Sequence, residues 1–168
     1  MKTLYLIGGT MGVGKTTVCN VLKQELPNAV FLDGDWCWDL HPFRVTEATK
    51  AMVMENIHAM LQNFLRCPDI DNIIFCWVMH QQQIMDDVLA PLKDHDLRVV
   101  PVSLICTEEE LKNRLQKDVD AGIRDQDILG RSIPRLPLYE GLHTVKIDTT
   151  GKTPAQIARL IREEGCKL

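Results

Sequence analysis

Eight residues near the amino terminus, from Gly9 to Thr16, match the phosphate-binding pattern G-x-x-x-x-G-K-[S/T] at every fixed position. Glycines in such a loop let the backbone wrap closely, so that successive N–H groups point inward at a polyphosphate. Lys15 would reach the β- and γ-phosphates, and the Thr16 hydroxyl would bind a magnesium ion. The residues predicted to contact a nucleoside triphosphate are Gly9, Thr10, Met11, Gly12, Val13, Gly14, Lys15, Thr16 and Thr17.

The segments on either side of this loop are those that the motif requires. Residues 3–7 form a short apolar run, which is typical of a buried strand. Residues 16–26 predict a helix that stops before Pro27, and its first turn would add a positive dipole end and unpaired N–H donors. The alternative is a chance glycine turn. The order of strand, loop and helix favours triphosphate binding.

A second candidate for chemistry is the sequence Asp33-Gly34-Asp35, which follows an apolar strand predicted over residues 29–32. In a parallel sheet it would face the same crevice as the phosphate-binding loop. A carboxylate there can orient an acceptor hydroxyl and accept its proton, and we assign that role to Asp35. Asp33 would finish the strand or contact a magnesium-bound water. A plain turn, which is common for Asp-Gly, is the alternative.

Aromatic and basic residues follow this turn, and they are candidates for an acceptor pocket in which Arg44 would bind an anionic group. They are Trp36, Trp38, His41, Phe43 and Arg44. Alternatively, the tryptophans fill the space beneath the next helix. His80, after the third predicted strand, could contact the acceptor or a magnesium-bound water, although a lone histidine is more often structural.

Strands and helices alternate along the rest of the chain. Strands are predicted at 3–7, 29–32, 72–78, 98–105 and 144–148, and helices at 16–26, 46–67, 83–93, 107–117 and 154–164. Near-continuous apolar strands separated by helices indicate a parallel sheet covered on both faces. Pro101, inside a predicted strand, suggests a bulge or local unpairing.

One segment interrupts this alternation. Residues 118–142 are polar, are punctuated by glycine and proline, and carry Arg124, Arg131 and Arg135. A long segment of this kind beside a phosphate site suggests a lid that closes over the triphosphate and excludes water. The alternative is a solvated loop whose arginines pair with the aspartates of the same segment.

Length and composition exclude several classes of protein. The chain has 168 residues, which fits one domain over residues 1–168, and its net charge of −4 argues against binding driven by nucleic-acid phosphates. No apolar stretch approaches the roughly 20 residues of a membrane span, and no signal-peptide pattern precedes the first strand. The six cysteines contain no C-x-x-C pair, which favours a reducing, cytoplasmic location without cysteine chemistry.

Residues 31–35, some fifteen residues after Lys15-Thr16-Thr17, resemble the corresponding part of the small P-loop kinases. This group includes gluconate kinase, adenylylsulfate kinase and the chloramphenicol phosphotransferases. The resemblance implies the three-layer α/β fold of the P-loop NTPases, with a five-stranded parallel sheet in the order 2-3-1-4-5 and a lid before the last strand. It also implies the use of ATP with Mg²⁺.

The resemblance carries roles to further residues. The second acid of the Asp-Gly-Asp turn would lie at the acceptor hydroxyl, which supports Asp35. The turn after the last strand would border the adenine through Thr150 and Lys152, and the lid residues Arg124 and Arg131 would contact the transferring phosphate. The chain departs from the family in one respect, because residues 75–80 lack the acid with which many P-loop enzymes position magnesium. Either Asp33 or Asp35 would substitute for this acid by binding a magnesium-bound water, or the metal site would be weaker than usual.

These observations predict an ATP-dependent kinase for a small hydroxylated molecule, working as a monomer or homodimer without a nucleic-acid or membrane partner. A nucleoside monophosphate kinase is an alternative, although between the second and third strands only Arg44, Arg66 and Lys50 are available to hold the acceptor phosphate. A nucleotide-dependent switch protein is another alternative. The absence of an Asn-Lys-x-Asp sequence argues against a regulatory GTPase.

Overall fold

The apolar runs of the sequence form the strands of a parallel sheet in the computed structural model, which describes residues 1–167. Its strands are β1 (Lys2–Gly8), β2 (Ala29–Asp33), β3 (Asn72–Trp77), β4 (Leu97–Ile105) and β5 (Val145–Asp148). Within these residues the strand order is β2-β3-β1-β4-β5, and every pairing is parallel. The predicted α/β class and strand order are confirmed.

Helices connect the strands at the predicted places. They are α1 (Lys15–Glu25), α2 (Glu47–Arg66), α3 (Gln82–Leu89), α4 (Glu108–Asp120), α5 (Ile128–Ser132) and α6 (Pro154–Lys167), with 3₁₀ turns at Gly34–Trp38, Ala90–Leu92 and Ile133–Tyr139. Thr46 begins α2 in a reciprocal capping box with Thr49, and the Thr107 hydroxyl accepts the backbone N–H of Glu110 at the start of α4.

Apolar side chains cover both faces of the sheet, as the near-continuous apolar strands predicted. One cluster lies under α1, α4 and α6 and includes Leu22, Leu115 and Ile161. The other lies under α2 and α3 and includes Ile57 and Val88. Each fully buried side chain of this size contributes about 1.5–3 kcal/mol of hydrophobic free energy, so the two clusters hold the strand ends in place.

Two local expectations differ from the structure. Pro101 pairs in unbroken register with Leu6 of β1, so of the two expectations, a bulge or local unpairing, the bulge is wrong. Pairing between β4 and β5 begins only at Val102, and Pro101 therefore lies where its strand has no neighbour on that side. The α-helix predicted to reach Lys93 ends at Leu89, because Pro91 lies in a 3₁₀ turn that follows it.

The segment 118–142 is not a loop throughout. Helix α4 extends into it, and α5 and the last 3₁₀ turn occupy its second half. Ile128, Ser132, Tyr139 and Leu142 are buried there, whereas residues 121–127 are exposed. The second half of the segment thus packs on the protein, and only its first half lies free at the surface.

In the described part of the chain, no helix combines the length and the apolar character that a membrane crossing requires. The cysteines there are free thiols, and most of them are buried. Burial raises the pKa of the Cys106 and Cys37 thiols above the usual value, so both stay protonated at neutral pH.

Candidate functional site

The glycine loop lies between the carboxyl end of β1 and the start of α1. Gly12 and Gly14 have φ values of +85° and +104°, which favour glycine over any residue with a Cβ atom. Gly14 is the N-cap of α1, and no side chain accepts the first N–H groups of this helix. These donors and the positive end of the helix dipole therefore face the cleft, which is the arrangement that binds phosphate.

Lys15 folds back over the loop that precedes it. Its Nζ donates to the carbonyl oxygens of Gly9 and Thr10 at 2.8 and 3.1 Å. Burial lowers the pKa of this ammonium group, whereas the nearby Cys76, Asp35 and Asp33 raise it. The cation is held at the centre of the loop, where the charge of a bound phosphate would also lie.

Asp33 joins the phosphate-binding loop to the end of β2. It is buried, its Oδ2 accepts the Thr16 hydroxyl at 2.8 Å, and its Oδ1 accepts the backbone N–H of Asp35 at 3.1 Å. The strand register places Asp33 of β2 beside Cys76 of β3. Asp33 therefore lies on the strand next to the one whose end, residues 75–80, lacks the acid that often positions magnesium. A hydroxyl next to a carboxylate is an oxygen donor pair of the kind that suits Mg²⁺.

Among residues 1–167 there is no group of three or more acidic, histidine or cysteine side chains that could hold a metal ion without help. Magnesium in phosphate-transfer sites is usually bound through one or two protein oxygens together with substrate phosphates and water. The Thr16–Asp33 pair fits that requirement.

Asp35 lies at the cleft surface and is fixed by a tryptophan. The Trp77 indole Nε1–H donates to Asp35 Oδ1 at 3.1 Å. Partial loss of solvent, and then the charge of Asp33, raise the pKa of the Asp35 carboxyl above its usual value, while Lys15 and the indole N–H act in the opposite direction. Gly34 permits this contact, because a Cβ there would lie 2.6 Å from Trp77 Cγ.

These groups line one cleft of about 370 Å³ at the carboxyl ends of the strands. Its lining comprises Met11, Gly12, Gly14, Lys15, Thr16, Thr17, Asp33, Asp35, Val78, Arg114, Lys117, Asp118 and Arg124. The structure therefore brings together Lys15, Thr16, Asp35 and Arg124, which the sequence proposed as site residues. A volume of this size is within the usual range for small-molecule sites.

Arg114 is a cleft residue that sequence reasoning missed. Its guanidinium donates to Glu110 Oε1 at 2.8 Å, to the Val13 carbonyl at 3.1 Å, and to the hydroxyl and carbonyl of Thr149 at 3.0 Å each. It thus ties α4 to the phosphate-binding loop and to the turn after β5. The sequence offered one indication that Arg114 is held in place: it lies four residues after Glu110 on a helix, a spacing that favours an ion pair, and between the buried Leu111 and Leu115.

The arginines of the segment 118–142 have different surroundings. Arg124 lines the cleft and its Nε donates to Asp118 Oδ2 at 2.9 Å. Arg131 pairs with Asp127 at 3.0 Å and, in the described structure, is not part of the cleft lining. For these two residues the aspartate pairing that the sequence left as an alternative is present.

The buried end of the same segment is docked on the phosphate-binding loop. The Thr10 hydroxyl lies 2.8 Å from the Ser132 carbonyl oxygen, to which it donates, and 2.9 Å from Ser132 Oγ. Ser132 Oγ in turn donates to the Met11 carbonyl at 2.5 Å. The Thr10 side chain thus holds α5, and only its backbone is left for a nucleotide.

The remaining predicted residues lie outside the cleft lining of residues 1–167. Thr150 accepts the backbone N–H of Thr107 through its hydroxyl at 3.0 Å, and Lys152 is exposed in the same turn. His80 is half-buried, and burial lowers the pKa of its imidazole. Arg44 is exposed in the segment between the 3₁₀ turn and α2.

Comparison with known families finds one model, described as an AAA domain, that matches residues 6–129. No curated protein matches the chain.

Solved structures of similar fold include a Deinococcus radiodurans tunicamycin resistance protein, with a TM-score of 0.71 and 20% identity over 98% of this chain and 96% of that one. A gluconokinase from Sinorhizobium meliloti has a TM-score of 0.69 and 18% identity, over 98% of this chain and 92% of that one. A shikimate kinase from Acinetobacter baumannii has a TM-score of 0.63 and 20% identity, over 99% of this chain and 94% of that one. At these identities the likeness establishes the fold, and the expected resemblance to the small P-loop kinases is confirmed at that level.

Proposed function

Because this chain belongs to the AAA domain family, we propose that it uses the phosphate-binding loop as an ATP-dependent kinase, transferring the γ-phosphoryl group to a hydroxyl of a small molecule. The observation that carries this proposal is the single cleft in which Lys15 and the Thr16–Asp33 pair lie beside Asp35. Two of the solved proteins of similar fold are a gluconokinase and a shikimate kinase, which agrees with this proposal.

In the proposed reaction the acceptor oxygen forms a bond to the γ-phosphorus of ATP. The bond between that phosphorus and the β,γ-bridging oxygen breaks, and its electron pair leaves with ADP. Asp35 accepts the hydroxyl proton and later releases it to solvent. The products are a phosphate monoester, ADP and one proton.

The loop and its neighbours supply charge and orientation for this transfer. Lys15 and the open N–H groups of α1 hold the phosphates, and Arg124 would stabilise the charge on the transferring group after leaving its partner Asp118. Arg131 would contribute only if it left Asp127. Adenine would lie towards Arg114 and the turn that holds Thr150 and Lys152.

The Thr16–Asp33 pair is the proposed position of Mg²⁺, with Thr16 as direct ligand and Asp33 acting on a water ligand. Bound there, the ion would neutralise negative charge on the triphosphate. The buried Asp33 holds the Thr16 hydroxyl in place, which orients it towards the cleft.

The acceptor side is proposed to include Asp35, Arg44 and His80. Arg66, which a nucleoside monophosphate acceptor could also use, lies at the carboxyl end of α2 and donates to Asn63. That end of α2 leads to the start of β3, at the edge of the sheet opposite the cleft. The geometry therefore favours an acceptor that lacks a phosphate group over a nucleoside monophosphate.

The proposed lid motion is confined to residues 121–127, because the rest of the segment is either helical in α4 or docked through Ser132. Closure of these exposed residues would bring Arg124 over the γ-phosphate and exclude water.

The proposed function is tested by incubating the purified chain with ATP and Mg²⁺ and measuring ADP with and without added acceptors. The acceptors are a panel of hydroxylated metabolites, antibiotics, nucleosides and nucleoside monophosphates. We expect little ADP from ATP alone and a strong increase with one class of hydroxylated compound, together with a new phosphate monoester in ³¹P NMR. Steady hydrolysis that no acceptor increases would contradict the proposal and favour a switch protein.

Thr16→Val tests the proposed metal position, because it removes the hydroxyl and keeps the side-chain shape. We expect this variant to bind ATP about tenfold more weakly in Mg²⁺, since a hydrogen bond or ligand to a charged group is worth about 1.5–3 kcal/mol. Its affinity for ATP in EDTA should equal that of the wild type. Isothermal titration of both proteins in both buffers measures this difference, and an equal loss of affinity with and without Mg²⁺ would contradict the assignment.

A further inference from the structure

We propose that the acceptor carries a flat aromatic or heteroaromatic ring, which stacks on an aromatic cluster formed by Trp38, Phe43 and Trp77. This inference rests on the proposed function, because Asp35 marks the position of the acceptor hydroxyl. It names a substrate class for the site, whereas the sequence predicted only the side that binds the phosphate donor.

The three rings are neighbours, and one of them contacts the proposed base. Ring centroids of Trp38 and Phe43 are 5.6 Å apart, and those of Trp38 and Trp77 are 6.4 Å apart. Trp77 also donates its indole N–H to Asp35 Oδ1 at 3.1 Å. A ligand ring stacked on the aromatic cluster would therefore lie close to Asp35.

Packing beneath α2 explains only part of this cluster. Trp38 and Trp77 are half-buried against the apolar residues under α2 and α3, as a filling role requires. Phe43 is different, since 63% of its surface is exposed. Aromatic side chains bury 150–250 Å² each in a core or interface. The exposed phenyl ring beside two half-buried indoles therefore leaves apolar surface on which a ligand can pack.

Hydrogen bonds hold the cluster in place before any ligand binds. The Trp38 indole N–H donates to the Arg44 carbonyl at 3.3 Å, and the same carbonyl accepts the Thr49 hydroxyl at 3.0 Å. Thr49 belongs to the capping box that begins α2. The segment carrying Phe43 is thus fastened to a helix, which lowers the entropy lost when a ligand stacks on it.

The size of the cluster favours a small ligand over a protein surface. Stable protein interfaces bury about 800 Å² on each partner, which is more than three partly covered rings provide. A single flat ring matches the cluster in size, and flat bases stack favourably on such residues. Arg44, next to Phe43 and without an ion pair among residues 1–167, could bind an anionic substituent of the same ligand.

The experiment compares hydroxylated probes that differ only in the ring. Phenyl β-D-glucoside is paired with cyclohexyl β-D-glucoside, and benzyl alcohol with cyclohexylmethanol. Binding to the full chain is measured by saturation-transfer NMR, and phosphoryl transfer by ADP release. We expect the ring-bearing member of at least one pair to bind about fivefold more tightly or better, as a stacking energy near 1 kcal/mol requires.

Variants then locate the binding surface. Phe43→Ala should raise the KM of the ring-bearing acceptor about fivefold with little change in kcat, because stacking is a binding interaction that the ground state and transition state share. Val45→Ala is the matched control, since Val45 is an exposed apolar residue of the same segment, at 56% exposure, without a ring. Trp77→Phe keeps a ring and removes the hydrogen bond to Asp35, so it should lower kcat while leaving KM nearly unchanged.

The outcomes separate this inference from the proposed function. Transfer to ringless acceptors only, binding by no ring-bearing probe, or a KM that Phe43→Ala does not change would each overturn the aromatic acceptor. Transfer from ATP to ringless acceptors would still leave the kinase proposal standing. Conversely, ring-bearing probes that bind through Phe43, together with transfer of phosphate to no acceptor of any kind, would uphold the ring site and overturn the kinase.

Discussion

Replacing Lys15 with alanine is expected to lower kcat by about 100- to 1000-fold, the usual loss when one group that stabilises transition-state charge is removed. Lys15 Nζ lies over the loop and donates to the Gly9 and Thr10 carbonyls, whereas the other cations that line the described cleft, Arg114, Lys117 and Arg124, lie on α4 or in the segment after it. Arg114 is engaged by Glu110, and Arg124 by Asp118. Single-turnover transfer from ATP to an acceptor found in the panel measures the loss.

Lys23→Ala is the matched control for this variant. Lys23 belongs to the same helix, two turns further on, and its Nζ contacts only Asn20 Oδ1 at 3.4 Å within the described structure. This variant should transfer phosphate at the wild-type rate. Thermal unfolding of both variants checks that the loop is still folded, and a Lys15→Ala protein with more than a tenth of the wild-type kcat would contradict the assigned role.

The donor side of the site was predictable because its geometry is local. A glycine loop between an apolar strand and a helix start fixes the positions of Lys15 and Thr16 within a few residues of sequence. The same holds for the helix starts at Thr46 and Thr107, where a side-chain oxygen caps an N–H three residues later. The strand order is a longer-range property, and it came from the family resemblance rather than from periodicity.

What the sequence did not reveal depends on contacts between distant residues. Asp33 was one of two acids offered for the metal, and only the register of β2 against β3 and its contact with Thr16 single it out. Arg114 is 101 residues from Val13, the loop residue that it contacts. The docking of Ser132 on Thr10 likewise spans 122 residues, so the segment 118–142 looked uniformly loop-like.

The acceptor side shows the same limit for a different reason. Sequence reasoning left two uses open for the aromatic residues after Asp35, as a pocket or as filling beneath α2. Exposure separates them, because Trp38 is half-buried and Phe43 is not. Trp36, another aromatic candidate, contacts Phe31 with ring centroids 5.1 Å apart and is itself 57% exposed.

Asp35→Asn is expected to preserve ATP binding and to lower kcat by about 100- to 10,000-fold, the range attributed to a positioned general base. Asparagine keeps the shape of the side chain and its amide oxygen can still accept the Trp77 indole N–H, but it cannot take the acceptor proton. The ATP affinity should stay within about twofold of the wild type, because Asp35 is proposed to contact the acceptor rather than the triphosphate. Titration of ATP and transfer kinetics measure the two effects separately.

The pH dependence of the same pair of proteins sharpens the test. The pKa of the Asp35 carboxyl is raised above the usual value of about 3.9, so the group stays protonated to a higher pH than a free aspartate does. Wild-type kcat/KM should therefore fall as the pH drops through that pKa. The Asp35→Asn protein should lack this acidic fall in kcat/KM. A carboxyl whose pKa is raised by folding destabilises the native state when ionised, so at neutral pH Asp35→Asn should unfold at a temperature no lower than the wild type. Asp69→Asn, which changes an exposed aspartate in the turn before β3, is the control. An Asp35→Asn protein that transfers phosphate at the wild-type rate would rule out Asp35 as the base, and one that has lost ATP binding would place Asp35 on the donor side of the cleft.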